Sequence, residues 1–118
     1  NTVQIGKNGE DLAARYLQSK GLELLERNFR TRNGEIDLIA LDRGVLVFIE
    51  VKTSRSPAFE APETWVDDRK QRQIIRVAEM YLQTKIQGEH DCRFDVVAIT
   101  FSRSSQTVRH IENAFWIE

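Results

Sequence analysis

The sequence holds a single cysteine, Cys92, so no internal disulfide can staple it. A lone thiol fits a reducing compartment, and with no signal-peptide pattern in view the expected location is cytoplasmic. No apolar run approaches the roughly 20 residues of a membrane-spanning helix, so no membrane association is expected. Neither charge is in excess: 17 Lys and Arg stand against 18 Asp and Glu, a net charge of −1. That excludes a chain that coats nucleic acid by bulk charge and makes any phosphate-binding surface a local one. Both prolines, Pro57 and Pro62, fall in the stretch Ser54 to Glu63, which reads as one loop and not as a linker between domains. Glycine-rich phosphate loops, G-x-S-x-G turns and internal repeats are missing. His90 and His110 stand isolated, without the neighbours of a zinc site or a catalytic triad. The 118 residues are long enough to bury a core unaided and are expected to form one domain, 1–118.

What is present centres on residues 34–53, two runs rich in Val, Ile, Leu and Phe around the turn signal Asp42-Arg43-Gly44. This predicts an antiparallel hairpin. By alternation Ile36, Leu38 and Ala40 share one face, and Glu35, Asp37, Ile39 and Leu41 the other. In the second strand Val45, Val47, Ile49 and Val51 oppose Leu46, Phe48, Glu50 and Lys52. A two-residue loop at Arg43-Gly44 sets Asp37 opposite Glu50 and Glu35 opposite Lys52. A three-residue loop would set Asp37 opposite Ile49 and scatter the charges over both faces, and a slip of one residue moves every side chain to the wrong side, so the first register is expected.

That register faces two carboxylates at Cβ separations of about 5 Å, where like charges repel. A cation between them would remove the conflict. With oxygen donors only, and no Cys or His at hand, the hard ions Mg²⁺ or Mn²⁺ are expected over zinc. Lys52, on the same face, could orient a water or stabilise a pentacovalent phosphate. The plainer alternative is an edge hairpin with solvated charges and a Glu35–Lys52 pair.

Asp37, Glu50 and Lys52 resemble the Asp, acidic-x-Lys signature of the restriction-endonuclease-like nucleases, the PD-(D/E)xK superfamily. The nearer resemblance is to the YraN-type group of small bacterial proteins, carried by Gly9-Glu10, Arg27-Asn28, Gly34 to Ile39, Phe48 to Lys52, Lys70 and Arg93 to Val97. One departure from the superfamily pattern, Ile36 where a proline precedes the aspartate, is shared by that group. The resemblance implies a three-layer α/β fold with an α-β-β-β-α-β core, a central mixed sheet flanked by helices. It also implies a Mg²⁺- or Mn²⁺-dependent endonuclease acting on DNA, similar to Holliday-junction resolvases. Asp37 and Glu50 would then be catalytic metal ligands, joined by Glu10 and the backbone carbonyl of Val51, with Lys52 as the third catalytic residue. It further implies a homodimer, whose interface is expected at Phe115 and Trp116. No base-reading signature is present, so recognition of DNA shape or strand state, branched or single-stranded, is expected. The alternative is a nucleic-acid-binding or assembly module that keeps this fold and turns over little.

Elsewhere, apolar spacing predicts a helix from Ile5 to Lys20 stopped by Gly21, with Glu10 bordering its core-facing stripe. Leu22 to Phe29 reads as a strand. A basic loop follows, in which Arg30 and Arg32, with Arg27 before them, are expected to hold phosphates. The proline loop is a candidate flap, and its flanking aromatics Phe59 and Trp65 are expected to pack against the sheet. A second helix should run from Asp67 to Gln87 and end at Gly88. Arg69, Lys70, Arg72 and Arg76 crowd its first half against the dipole preference, and Lys70 and Arg69 are expected to contact nucleic acid. Cys92 to Phe101 predicts a central strand apolar on both faces, with Arg93 and Asp95 paired. Thr107 to Ile111 predicts an edge strand.

Overall fold

The computed structural model describes residues 2–55, 66–86 and 89–116 and, of residues 2–6, the backbone alone. The proline loop with its expected flap, Phe59 and Trp65, and the expected helix stop at Gly88 lie outside the described residues.

Helix α1 (Thr2–Ser19) sends Ala13, Ala14 and Leu17 into the core. It closes in a Schellman motif. Gly21, at φ 97°, lets its own N–H reach the Gln18 carbonyl at 3.0 Å and the Leu22 N–H reach that of Leu17 at 3.1 Å. Leu22 is thereby buried beside Leu17. Strands β1 (Glu23–Thr31), β2 (Gly34–Asp42) and β3 (Val45–Ser54) follow as an antiparallel meander. Helix α2 (Asp68–Thr84), capped by Asp67 accepting from the Lys70 N–H at 2.8 Å, carries the chain to β4 (Cys92–Phe101), which pairs parallel to β3. A parallel pair requires such a crossover. Strand β5 (Gln106–Phe115) then turns back antiparallel.

The sheet order is β1-β2-β3-β4-β5, a mixed sheet between two helices, as expected from the sequence. Leu17, Val47, Ile49 and Val97 pack on the α1 side, and Phe48, Ile74, Tyr81 and Phe94 on the α2 side. Central β3 is therefore apolar on both faces over Leu46 to Ile49. The β2–β3 register is the expected one, Leu41 with Leu46 and Leu38 with Ile49. Arg43 (φ 51°) and Gly44 (φ 87°) are both left-handed, as a tight two-residue hairpin turn demands.

Four expectations are corrected. The basic loop is a two-residue turn, Arg32-Asn33, because Thr31 Oγ1 accepts the Asn33 N–H at 3.0 Å and Gly34 at φ 138° starts β2 at once; Arg27 and Arg30 lie on β1. Helix α2 ends at Thr84, where Lys85 caps it through Tyr81. Strand β5 runs on to Phe115, which is buried and stacks on Phe94 at 5.1 Å, so of the two aromatics expected at an interface only Trp116 is on the surface. His110 is not isolated. Its Nε2 lies 2.8 Å from Asp95 Oδ2, and its Nδ1 lies 3.0 Å from Lys20 Nζ.

Asp95, fully buried, also receives both arms of Arg93 at 2.9 and 3.0 Å and the Asn113 N–H at 2.9 Å. Burial alone would raise its pKa. The hydrogen bonds from His110, Arg93 and Asn113 outweigh it and hold the carboxyl below its ordinary value. Arg93 reaches on to Asp42 at 3.0 Å. Around Asp95 the β4–β5 ladder slips: between the pairs Phe94–Phe115 and Val96–Ile111, β4 has one residue and β5 has three, a bulge with Asn113 left-handed at φ 54°.

Gly34 faces α2, and a Cβ there would lie 2.5 to 2.8 Å from the Gln73 side chain. Gly34→Ala should cost about 2 kcal/mol in urea melts, against about 1 for Gly21→Ala, where φ is also positive but nothing is near. Equal losses would show that the close approach to α2 carries no energy.

Candidate active site

The β2–β3 ladder ends at Leu38 and Ile49. One step on, Asp37 and Glu50 stand level, but their backbones have parted. Asp37 Oδ2 accepts the Val51 N–H at 2.8 Å, doing with a side chain what a β2 carbonyl would otherwise do. Strict alternation breaks here: Ile36 packs with Phe29 on the α2 side, whereas Leu38 and Ala40 face α1. Ile36 therefore leaves the face expected for it. Glu35 is not opposite Lys52 either. Strands β1 and β2 are still paired at this level, so Arg30, its cross-strand partner, takes Glu35 at 2.8 Å.

Glu50 is on the α2 face, with its side chain 14% exposed. Burial, then the hydrogen bond and negative charge of Asp37, push its pKa up to about 9, with Lys70 opposing. Glu50 therefore keeps its proton through the neutral range. Glu10 comes in from α1. Burial first, then the charge of Asp37, raises its pKa, while Arg27 pulls it down. Its Oε1 is buried without a hydrogen-bond partner among the described residues. Gly9 lets α1 settle onto β3, since a Cβ there would meet the Thr53 side chain. That seat brings Glu10 towards the sheet end.

Lys70, expected to contact nucleic acid, places its Nζ 3.4 Å from Glu50 Oε2 from the first turn of α2. Lys52, half-buried, stands two residues beyond Glu50 on β3, level with Ala98 of β4. The other expected cations divide. Arg27 is held by Asp11 at 2.6 Å, lowering the aspartate's pKa, and Arg30 by Glu35, so both tie elements together at the surface. Arg32 is exposed at the β1–β2 turn. Arg69 lines a cleft of about 470 Å³ beside Lys70, joined there by Arg72 and Arg76. Sequence reasoning noted those two only as crowding the helix. Their spacing from Arg69, three and seven residues, was the signal that could have placed them on one face.

Among the described residues no three His, Cys, Asp or Glu side chains are drawn together as a ready metal cluster. The donors nevertheless fit a hard divalent cation. They are all oxygen, Glu50 carries a proton that a cation would displace, and Glu10 brings a buried oxygen with no partner among the described residues.

Comparison with known sequences matches residues 9–99 to the model of "Uncharacterised protein family UPF0102". A UPF0102 protein of Chlorobium chlorochromatii is 48% identical over 124 residues, covering 100% of this chain and 95% of its own length. One from Alkaliphilus oremlandii is 45% identical, covering 95% of this chain and 97% of itself, and one from Geobacter metallireducens is 45% identical over 94% and 91%.

Because Glu50 binds its proton more tightly folded than unfolded, the fold's advantage is fully present below pH 4.5 and is lost as pH rises towards about 9. At pH 8 without divalent metal, Glu50→Gln should therefore raise Tm by several degrees, a gain that shrinks towards pH 5. A thermal melt series across that range checks it, and a gain independent of pH would contradict the raised Glu50 pKa.

Proposed function

The chain belongs to the UPF0102 family, and on that footing we propose that it is a metal-dependent endonuclease hydrolysing phosphodiester bonds in DNA, directed by DNA structure and not by base sequence. The observation that carries this reading is the level placement of Asp37 and Glu50 where the sheet opens, Asp37 fixed by the Val51 N–H and helping to push the Glu50 pKa to about 9, with Lys70 at 3.4 Å from Glu50 and Lys52 two residues along β3. The motif-level similarity to restriction-endonuclease-like nucleases supports it. A buried carboxyl whose pKa is displaced so far by burial and by a second carboxyl is a common mark of a site kept for chemistry.

When bound, Mg²⁺ or Mn²⁺ would be held by Asp37 and Glu50, with Glu10 and the Val51 carbonyl completing the set, and would supply Lewis acidity towards a phosphoryl oxygen and a more acidic water. The chain's own residues do the rest. Asp37, fixed by the Val51 N–H, keeps its second oxygen towards the site. Glu50 would release its proton to solvent when the set binds a cation. Lys52 orients the attacking water, whose proton passes to bulk solvent, and Lys70 balances charge gathering on the phosphate. Arg69, at the cleft, and Arg32, at the β1–β2 turn, hold the phosphate backbone, and Arg27 and Arg30 add positive charge along β1. A homodimer would let two such sites cut two strands, and Trp116, 61% exposed, is the surface aromatic for its interface. No described helix is long and apolar enough to cross a membrane, and a cytoplasmic location accords with the lone thiol.

A second reading, a binding or assembly module of this fold with little turnover, draws on the lack of a converged three-ligand cluster among the described residues. Cleavage assays on labelled single strand, duplex, flap and four-way junction with Mg²⁺ or Mn²⁺ separate the two. At least one substrate should be cut, and Asp37→Asn or Lys52→Ala should slow that cut by about a hundredfold or more while melting stays near the parent's. The asparagine keeps an oxygen for the Val51 N–H, so the hairpin should persist. Unaltered rates in either variant would remove the nuclease reading, and a folded parent that cuts nothing would favour the module.

A further inference from the structure

The cleft on α2 has a feature the catalytic pair does not use. Arg69, Arg72 and Arg76 follow one another at helical spacing on the exposed side of the helix, and all three line the cavity. None of the three pairs with an acidic side chain among the described residues. Asn33 of the β1–β2 turn and Gln73 add neutral donors, and Lys70 joins the row to Glu50 at 3.4 Å. Among the described residues the one acidic side chain in the lining, Asp67, is engaged as the helix cap, its Oδ1 accepting the Lys70 N–H. Three cations in the first half of a helix oppose its dipole and repel one another at three and four residues' spacing. Among the described residues no ion pair offsets that cost; an anion would.

We propose that this cleft seats consecutive phosphates of a single nucleic-acid strand, led from the Asp37–Glu50 pair along α2. Arg69 and Arg76, seven residues apart, are separated by about 10 Å along the helix, with Arg72 between them, so three guanidinium groups in a row can meet successive phosphates of one strand. The cleft, about 470 Å³, has the size of a small-ligand site. One strand can enter it. A duplex, whose major groove alone is about 12 Å wide, could only rest across the mouth. The substrate class is thus a strand that is unpaired beside the cut, such as a flap or an overhang. The inference rests on the nuclease reading only for where the scissile bond lies; the seat itself is independent of turnover.

The test measures binding of a fluorescent single-stranded 12-mer and of the matching duplex in chelator, over a salt series, by the parent, by Arg72→Gln and by the triple Arg69→Gln, Arg72→Gln, Arg76→Gln variant. Glutamine is a good helix former at these exposed positions, and melts of each variant check the fold. The parent should bind the single strand more tightly than the duplex. The triple variant should lose at least tenfold in affinity at low salt, with the salt slope shallower by about 2, and Arg72→Gln about a third of that change in slope. In cleavage the triple variant should raise KM and leave kcat within a few-fold. Unchanged single-strand affinity and slope in the folded triple variant, or a loss confined to duplex, would overturn the seat. If the variant loses binding while the parent cuts nothing, the nuclease reading falls and the seat stands. If cutting persists with binding untouched, the reverse holds.

Discussion

One hydrogen bond sets the geometry on which the rest of the site depends: the carboxylate of Asp37 accepting the backbone N–H of Val51. While β2 and β3 stay paired, their carbonyls satisfy their amides and every side chain has an assigned face. Where they part, an amide would be left without a partner, at a cost of about 1–3 kcal/mol in a buried setting. Asp37 fills that vacancy and so is fixed in place. The same parting turns Ile36 to the other core and leaves Glu50 level with a second carboxyl.

Asp95 uses the same device on the next side of the sheet. It too accepts a backbone N–H, that of Asn113, where a ladder is interrupted. The difference lies in the company. Asp95 is surrounded by Arg93 and His110, and its charge is answered inside the protein. Asp37 is met by Glu50 and by the negative field of Glu10, with Lys70 answering only part of the excess. One aspartate closes a structural joint. The other leaves a joint whose electrostatics ask for something from outside, with an open basic cleft alongside.

Much of this was legible in the chain because two simple periods govern it. Alternation in the hairpin and the Arg43-Gly44 turn fixed the register, and with it the level at which Asp37 and Glu50 meet. The 3.6-residue stripes of α1 and α2 placed both layers. Illegible were the features that need a third element. His110 looks isolated because Asp95 and Lys20 reach it from another strand and a helix. Ile36 leaves its expected face because pairing on one side of β2 outlasts pairing on the other. Phe115 joins the core because a bulge lengthens β5, and a bulge has no period to read.

That bulge has a consequence for how copies of the chain can meet. Strand β5 lies at the rim of the sheet, and a straight rim of ten residues would invite a neighbour's strand to continue the ladder into a shared sheet. With three residues set against one around Asn113, the rim is bent, its open amides and carbonyls fall out of step, and Asp95 holds the bend from within. Growth by strand addition is blocked at that margin. Around the bend, what the protein offers a neighbour is side-chain surface and not a continuous row of backbone groups, and such a surface can be tuned one residue at a time.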